Sequence, residues 1–446
     1  MKYSHYTLKI PKGLKTTFRS LKYHNFRLFF GGQSISLIGT WMQRIAMPWL
    51  VYDISHSVVL LGVVGFAGQI PTFLLASFGG VLTDRWNRYH ILIVTQILAM
   101  IQALVLALLF YTGVLQVWHI ITLSVFLGCI NAFDTPARQS FLIEMVENKE
   151  DLPNAIALNS TMANGARLLG PSIAGVLIAL IGEGACFLIN GLSYIVVIIS
   201  LLNMKILTRK INPVKKDIFR EMKEGFNYTF GFPPLKHVIL LLAMNSLWGM
   251  PYSVLMPVFA KEIFHSGPHV FGFLMGAAGM GALTGAIYLA SRKTVLGLEK
   301  LIPFSAALFG AGLIAFSLSR FLWLSLIFLA IAGLGMMIQM ASSNTIIQTV
   351  SDDNMRGRVM SFYTMAFMGM TPFGSLLAGS MAKIFGAPMT LEIGGVVCIA
   401  GAIYFARKLP IIKKAILPVY IKKGIANEVT IGIGTTTEMS DSKNNL

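Results

Sequence analysis

Four charged side chains lie inside long apolar stretches of the sequence, where a charge is costly. Arg44 and Arg167 lie well inside two of these stretches, and Asp134 precedes Arg138 by one helical turn. A charge within a hydrocarbon layer costs at least about 2.5 kcal/mol, and such groups usually face a cavity or pair with one another. Arg44, Asp134, Arg138 and Arg167 are therefore the candidates for binding a solute or for coupling its movement to an ion.

The deepest charges leave two interpretations open. Arg44 and Arg167 outnumber Asp134, and this positive excess either attracts an anionic solute or is satisfied by helix C-termini and by polar groups. The nearby polar groups are Gln43, Asn131 and Asn164.

Asp134 is the only acidic residue well inside the apolar stretches of the first half of the chain. Burial raises the pKa of a carboxyl group, so this position suits a group that takes up and releases a proton. The rival interpretation is structural, because Arg138 at the i,i+4 spacing can hold Asp134 ionised.

The motifs of metalloenzymes and of ATP-driven proteins are absent from the sequence. Its eight His include no His-Glu-x-x-His pattern, its three Cys do not stand at metal-ligand spacing, and there is no Gly-x-x-x-x-Gly-Lys-Ser/Thr phosphate loop. We therefore expect no cofactor, no metal and no enzymatic activity. Ion gradients are the expected energy source.

The elements that carry these residues must be membrane helices. Of 446 residues, 55% are hydrophobic and 12% charged, and the mean hydropathy is +0.69. A soluble protein would carry about 25% charged residues. Twelve apolar stretches are long enough to cross a hydrocarbon core of about 30 Å. These stretches are residues 27–52, 58–82, 90–111, 118–141, 154–181, 185–206, 236–260, 269–291, 300–318, 322–347, 358–384 and 389–407.

The positions of the basic residues predict the orientation of this membrane protein. If the N-terminus is cytoplasmic, 31 of the 36 Lys and Arg residues face the cytoplasm, and only Lys261, Arg320 and Lys383 face outward. The positive-inside rule then predicts that both termini are cytoplasmic in the inner membrane. The net charge of +17 is thereby a topology signal, so anionic lipid is expected as a partner and nucleic acid is not.

The polar stretches divide the chain. We expect a cytoplasmic N-terminal segment (1–26), a six-helix half (27–206), a cytoplasmic linker (207–235), a second six-helix half (236–408) and a partly disordered cytoplasmic tail (409–446). Ile218, Phe219, Met222 and Phe226 recur at helical spacing among charged residues of the linker. This pattern predicts an amphipathic helix on the membrane surface.

The two halves contain similar residues at an offset of about 200 to 210 positions. The matched pairs are Met47 and Met256, Pro48 and Pro257, Asp53 and Glu262, Ser57 and Ser266, Gly62 and Gly272, Asp151 and Asp352, Ser160 and Ser361, and Pro171 and Pro372. Together they favour two parallel six-helix repeats, with substrate bound between them near the membrane midplane.

A loop between the second and third stretches resembles the signature of the major facilitator superfamily. The run Gly80-Val81-Leu82-Thr83-Asp84-Arg85-Trp86-Asn87-Arg88 has a Gly, then Asp-Arg, then a basic residue. Asn87 replaces the second Gly, and Asn tolerates a positive φ, which preserves the expected turn. The resemblance implies that Gly80 allows close helix approach, that Asp84 caps a helix, and that Arg85 or Arg88 pairs with acids across the two halves.

Further runs resemble the superfamily's efflux branch, which includes macrolide and enterobactin exporters. They are residues 39–44, 131–139, 154–160 and 356–359. Gly165, Gly170, Pro171 and Gly175 are similar to the Gly-Pro signature of antiporters, although Ala166 stands where a Gly is usual. Generic tight packing of small residues is the alternative explanation of that stretch.

The resemblance implies an all-α membrane protein with twelve transmembrane helices in the major facilitator fold. We expect a monomeric secondary active exporter of small amphipathic molecules, either drugs or siderophore-like metabolites, that works by alternating access and proton antiport. A non-transporting receptor with the same fold and a passive facilitator or importer are the alternatives.

Overall fold

The computed structural model describes residues 18–205, 218–292 and 294–425, and the elements found there are helices with short connections. We number the α-helices in chain order. They are α1 (His24–Ser55), α2 (Val58–Arg85), α3 (Arg88–Tyr111), α4 (Val117–Glu144), α5 (Leu152–Ile181), α6 (Glu183–Leu202), α7 (Ile218–Gly231), α8 (Pro233–Trp248), α9 (Tyr252–Val258), α10 (Pro268–Ser291), α11 (Leu298–Leu318), α12 (Leu322–Val350), α13 (Arg356–Thr364), α14 (Met370–Phe385) and α15 (Ala387–Lys422). Two π-helical turns, Phe259–Ile263 and Met365–Gly369, follow α9 and α13.

Ten of these helical segments are long and apolar enough to cross a membrane, counted over the described part of the chain. They comprise α3, α4, α5, α6, α10, α11, α12 and α15, the first part of α2, and the continuous segment from α8 to Ile263. A helix rises 1.5 Å per residue, so even the 20 residues of α6 span about 30 Å. Helices suit this setting because their backbone hydrogen bonds are satisfied internally.

Two predicted spans are not among the ten. Residues 27–52 lie within α1, and residues 358–384 lie within α13, the π-turn and α14. Both segments are helical over the predicted length, but they are less apolar than the others. Polar residues lower the mean hydropathy of α1, and these same residues form much of the site described below.

The chain divides into two compact units. Unit 1 comprises the described residues of 1–56, 67–214 and 267–276, and unit 2 comprises those of 57–66, 215–266 and 277–446. Aromatic and aliphatic side chains of α1, α3, α4, α5 and α6, among them Phe26 and Phe141, form a core in unit 1. Side chains of α8, α11, α12 and α15 form the core of unit 2.

A close helix crossing in each unit depends on a pair of glycines. In unit 1, a Cβ on Gly272 would lie 2.8 Å from the Cα of Gly175, and in unit 2 a Cβ on Gly62 would lie 3.1 Å from the Cα of Gly379. Larger side chains would force these helices apart. Gly62 and Gly272 are one of the pairs matched between the sequence halves.

Backbone features also recur at similar offsets. His56 and His265, the only non-glycine residues with positive φ in the described chain, have φ of 48° and 47°. Gly182 and Gly386, before α6 and α15, have φ of 83° and 82°. Outside glycine this conformation is uncommon, and histidine is one of the few residue types enriched in it, with asparagine and aspartate.

Matched aspartates make the same contact in each unit. In unit 1 the Tyr23 hydroxyl donates to Oδ2 of Asp151 at 2.8 Å. In unit 2 the Tyr228 hydroxyl donates to Oδ2 of Asp352 at 3.0 Å.

The last helix extends beyond the predicted end of the second half. We expected that half to end at residue 408, but α15 continues to Lys422 and buries Ile412, Ile416 and Tyr420. Lys423 Nζ then donates to the backbone oxygen of Thr349 at 2.7 Å. Basic residues interrupt the apolar run here, which conceals an apolar stripe at i,i+4 spacing. Residues 426–446 of the predicted tail and 206–217 of the linker lie outside the described residues.

Candidate functional site

Two of the predicted arginines meet at one tryptophan ring in unit 1. The guanidinium carbon of Arg44 lies over the ring of Trp41, 4.9 Å from its centroid, and that of Arg167 lies 5.4 Å from it. Arg44 and Trp41 are on α1, whereas Arg167 is on α5. Cation–π attraction explains why an indole ring holds both groups. We call Trp41, Arg44 and Arg167 the Arg–Trp–Arg cluster.

Helix packing positions the cluster. A Cβ on Gly170 would overlap the Cβ of Trp41 and lie 3.2 Å from the backbone oxygen of Ile38, so α5 can lie this close to α1 only with glycine at that position. Arg167 precedes Gly170 by about one helical turn and therefore projects beside the same part of α1. Gly165, by contrast, has open space around it.

A buried network of amides lies next to the cluster. Gln43 donates through Nε2 to Oε1 of Gln102 on α3 at 3.0 Å, and its Oε1 accepts from Nδ2 of Asn190 on α6 at 2.8 Å. Gly39 makes room for this network, because a Cβ there would lie 3.0 Å from the Cα of Asn190. The three amides tie α1 to α3 and α6, which holds the helix that carries Arg44 in one orientation.

The polar groups near the two arginines are used elsewhere. Gln43 is held in the amide network, and Asn164 donates to the backbone oxygen of Ser160 at 2.9 Å. Across residues 18–205, 218–292 and 294–425, neither Arg44 nor Arg167 has a hydrogen bond or an ion pair. Arg44 is exposed although it lies well inside a long helix, and Arg167 is half-buried. The cluster therefore holds two positive charges that no side chain in the described part of the chain neutralises.

Asp134 on α4 is buried and has three donors. Its Oδ1 accepts from Thr95 Oγ1 at 3.0 Å and from Gln96 Nε2 at 2.8 Å, both on α3. Its Oδ2 pairs with Arg138 Nη2 at 2.8 Å. The ion pair has the i,i+4 spacing expected from the sequence. Neither Arg44 nor Arg167 shares this carboxylate.

The predicted loop motif is described only in part. The backbone of α2 continues through Gly80 and Asp84 to Arg85, but the side chains of these three residues lie outside the description. Asn87 has φ of −68° and caps α3 by accepting from the backbone N–H of Tyr89. The expectation that Asn87 takes a positive φ is therefore wrong, because the residue serves as an N-cap, for which Asn is well suited.

Arg88 forms an ion pair within its own unit. Its Nη1 lies 2.6 Å from Oε1 of Glu144 at the end of α4. This contact ties α3 to α4, and the pairing of Arg85 or Arg88 with acids across the two halves stays a prediction.

The small residues of α5 are of two kinds. Gly170 and Gly175 lie in close crossings, with α1 and α10 respectively, and the backbone oxygen of Pro171 would lie 2.6 Å from a Cβ on Gly272. Gly165 makes no such contact. Gly170, Pro171 and Gly175 thus lie in tightly packed crossings, and the antiporter role of this stretch stays a prediction.

Several residues of the site were missed in the sequence. Trp41, Thr95, Gln96 and Gln102 have no charge and stand in apolar stretches. Only Trp41 had a usable signal, since it precedes Arg44 by three positions and so shares its helix face.

Comparison with known proteins extends these observations. The family model for transmembrane secretion effectors matches residues 15–423. The staphyloferrin A transporter of Staphylococcus aureus is 26% identical over 387 residues, which cover 86% of this chain and 96% of that protein. Macrolide efflux protein A of Streptococcus pyogenes is 22% identical over 392 residues, which cover 85% and 96%.

A solved structure shares the fold. The inward-facing, unoccupied crystal structure of a bacterial homologue of the human lysosomal transporter Spinster aligns with a TM-score of 0.68 at 15% identity, covering 90% of this chain and 98% of that one. At this identity the likeness concerns the fold alone. Because the family model spans most of the chain and the described residues contain ten membrane-length apolar helices, this chain is a multi-pass membrane protein that belongs to the transmembrane secretion effector family of the major facilitator superfamily.

Proposed function

We propose that the protein is a secondary active exporter of small amphipathic molecules, driven by proton antiport and working by alternating access. The observation that carries this proposal is the Arg–Trp–Arg cluster, which places two positive charges without an ion-pair partner, among the described residues, on membrane-length helices. Groups of this kind inside membrane proteins mark substrate or ion pathways. The names of the relatives, a staphyloferrin A transporter and a macrolide efflux protein, support export of a siderophore-like metabolite or a drug.

The proposal includes twelve transmembrane helices in two parallel repeats of six. To the ten apolar spans it adds α1 and the helix that runs from α13 through α14, whose lengths suffice for a membrane. The recurring features support the repeats: the left-handed His56 and His265, and the Tyr–Asp contacts at Asp151 and Asp352. Such repeats commonly form the two halves that move in alternating access.

The proposed setting is the inner membrane of a bacterium, with both termini and the linker on the cytoplasmic side, anionic lipids around the basic surfaces, and a monomeric carrier. The excess of Lys and Arg on one side supports this orientation. The exposure of Met222 and Phe226 on α7 supports contact of the linker with the membrane surface.

Asp134 and Arg138 are the proposed coupling pair. A proton that binds Asp134 removes its charge and weakens the hold on Arg138, so the pair can respond to the side of the membrane to which the site is open. The alternative is that the pair is structural, which its three donors also fit.

The test is export from energised cells, measured as the appearance of metabolites in the medium with and without the gene, and with and without a protonophore. We expect gene-dependent export that stops when the proton gradient collapses. Export that continues unchanged indicates a passive facilitator. Accumulation inside cells indicates an importer, and no gene-dependent flux of any compound indicates a non-transporting receptor.

A further inference from the structure

We propose that the exported substrate is a water-soluble small molecule with at least two oxyanion groups, which bind Arg44 and Arg167 beside the ring of Trp41. This inference rests on the proposed export function and names the substrate class of its binding site. Carboxylate and phosphate groups share the chemistry that a guanidinium recognises.

The first step is the charge of the site. Both guanidinium carbons lie near one indole ring, so they are at most about 10 Å apart, a distance over which like charges repel in a protein of low dielectric constant. Folding such a pair onto membrane-length helices is costly unless a counter-charge is supplied. Across the described residues, no acidic side chain pairs with either group.

The second step concerns the acid that might have supplied the counter-charge. Asp134 is the buried carboxylate of unit 1 on a membrane-length helix, and its two oxygens are used by Thr95, Gln96 and Arg138. Replacing one of these partners by Arg44 or Arg167 would leave a buried donor without an acceptor, which costs more than an average hydrogen bond contributes. Because no side chain among the described residues supplies the counter-charge, we assign it to the ligand.

The third step is the form of the ligand. A guanidinium stacked over an aromatic ring keeps its N–H groups at the edge, where they can donate two parallel bonds to an oxyanion. The exposure of Arg44 gives a dissolved ligand access to that edge. A singly charged oxyanion such as a carboxylate would neutralise one arginine and leave the second charge, so complete compensation by such groups requires two of them on one molecule. The indole ring adds an apolar surface for the body of the ligand.

The experiment combines charge fractionation of exported compounds with variants of the site. Supernatants of cells with the wild-type gene and without it are extracted with chloroform and methanol to separate lipids. The aqueous phase is then passed over an anion-exchange resin, and compounds that depend on the gene are identified by mass. The same comparison is made for Arg44→Gln, Arg167→Gln, Arg44→Lys and, as a control, Lys408→Gln. Lys408 also lies over an aromatic ring, that of Tyr404 at 5.9 Å, but outside the cluster. Membrane levels of each variant are measured by immunoblot.

We expect the gene-dependent compounds to be in the aqueous phase. On the anion-exchange resin they should elute with compounds that carry two or more negative charges. Their export should fall about tenfold or more in Arg44→Gln and Arg167→Gln, since a charged hydrogen bond contributes about 1.5–3 kcal/mol. Arg44→Lys keeps the positive charge but lacks the guanidinium that donates two parallel hydrogen bonds. This variant should retain more export than Arg44→Gln. Lys408→Gln should remain within about twofold of wild type.

Each other outcome contradicts the inference in its own way. Gene-dependent compounds that are neutral, cationic or singly charged disprove the substrate class but leave export intact. Gene-dependent compounds in the chloroform phase indicate that the cluster binds the headgroup of a lipid and not a dissolved anion. Normal export of dianions by both glutamine variants shows that the cluster does not bind them. The absence of any gene-dependent compound overturns the export function itself.

Discussion

The role that can be assigned to the Asp134 carboxylate depends on which side chains contact it. In the sequence it is a lone acid in an apolar stretch, suited to carry a proton. In the structure it is a compensated acceptor whose partners come from two helices. A compensated carboxylate can still couple protons, but only if the pair with Arg138 opens during transport. The proton-carrier and structural roles therefore predict different results for the same variants.

Asp134→Asn should abolish proton-driven export while substrate binding persists, because asparagine keeps the size and most hydrogen bonds of the side chain but carries no proton. The loss of the ion pair should lower stability by about 1–3 kcal/mol, which melting of the purified protein in detergent measures. Export under an imposed pH gradient reports the coupling.

Arg138→Gln and the double variant separate the two roles. If both single variants are unstable and the double variant recovers active export, the pair is structural and the coupling group lies elsewhere. If the double variant is stable but exports only down a substrate gradient, Asp134 is the coupling residue.

At the scale of helices, two glycines on α5 provide a matched pair. Gly170 lies against Trp41 on α1, whereas Gly165 has open space around it. Gly170→Ala should push α5 away from α1, displace Trp41 from Arg167 and reduce export by about tenfold or more, as a displacement of about 1 Å in a site can cost 10²-fold. Export assays at equal membrane levels measure the effect.

Gly165→Ala is the control for that prediction. Alanine is the better helix former by about 1 kcal/mol, so this variant should keep wild-type export and a melting temperature that is equal or higher. Equal impairment of both variants would show that helix flexibility, and not the contact with Trp41, is what α5 requires.

A second element, α7, is held to α13 by charge. Glu224 lies between Arg220 at 3.0 Å and Arg358 at 2.9 Å. The hydrogen bond from Arg220 is the main reason that the pKa of Glu224 lies below its ordinary value of 4.5, and the charge of Arg358 adds to the effect. A lowered pKa means that the ionised form favours the folded α7, and the part of the shift that comes from Arg358 favours docking of α7 on α13. This contribution is present above pH 4.5 and is lost as the pH falls through the lowered pKa.

Glu224→Gln should therefore increase hydrogen exchange of the α7 amides at pH 7, and wild type should approach the variant as the pH falls through the lowered pKa of Glu224. High salt should have a similar effect, because the charges are exposed and screened. Glu147→Gln, which removes an exposed acid of unit 1, is the control and should leave α7 unchanged. Exchange in α7 that is independent of pH and salt would mean that the aromatic contact of Phe226 and Phe230 with Phe362 holds the helix by itself.

At the scale of the whole molecule, the prediction is its orientation. The excess of 31 basic residues over 3 predicts that the linker and both termini face the cytoplasm. Alkaline phosphatase fused after residue 215 should be inactive and green fluorescent protein at the same position should fluoresce. The opposite pattern would show that the topology is inverted. Reporters that place the two termini on opposite sides of the membrane would exclude an even number of spans.

The sequence by itself determined the class of protein, the helical segments and the residues worth testing. The thickness of the hydrocarbon layer and the cost of a buried charge both constrain local composition. Membrane spans and unusual charges within them can therefore be recognised without knowing which helices are in contact. This is why the predicted stretches coincide with helices, and why Arg44, Asp134 and Arg167 could be selected from the sequence as candidates. A search for continuous apolar runs missed the end of α15. Basic residues interrupt the run there, although one face of the helix stays apolar.

Only the tertiary structure decided which charges are compensated. Thr95 and Gln96 reach Asp134 from another helix, and Arg167 reaches Trp41 only because Gly170 allows α5 and α1 to approach. These contacts join residues far apart in the chain, and no local pattern specifies their partners. The physical reason is that pairing depends on distances of about 3 to 5 Å between side chains, which packing sets. That packing gives Asp134 three partners and leaves Arg44 and Arg167 without a hydrogen bond or an ion pair among the described residues.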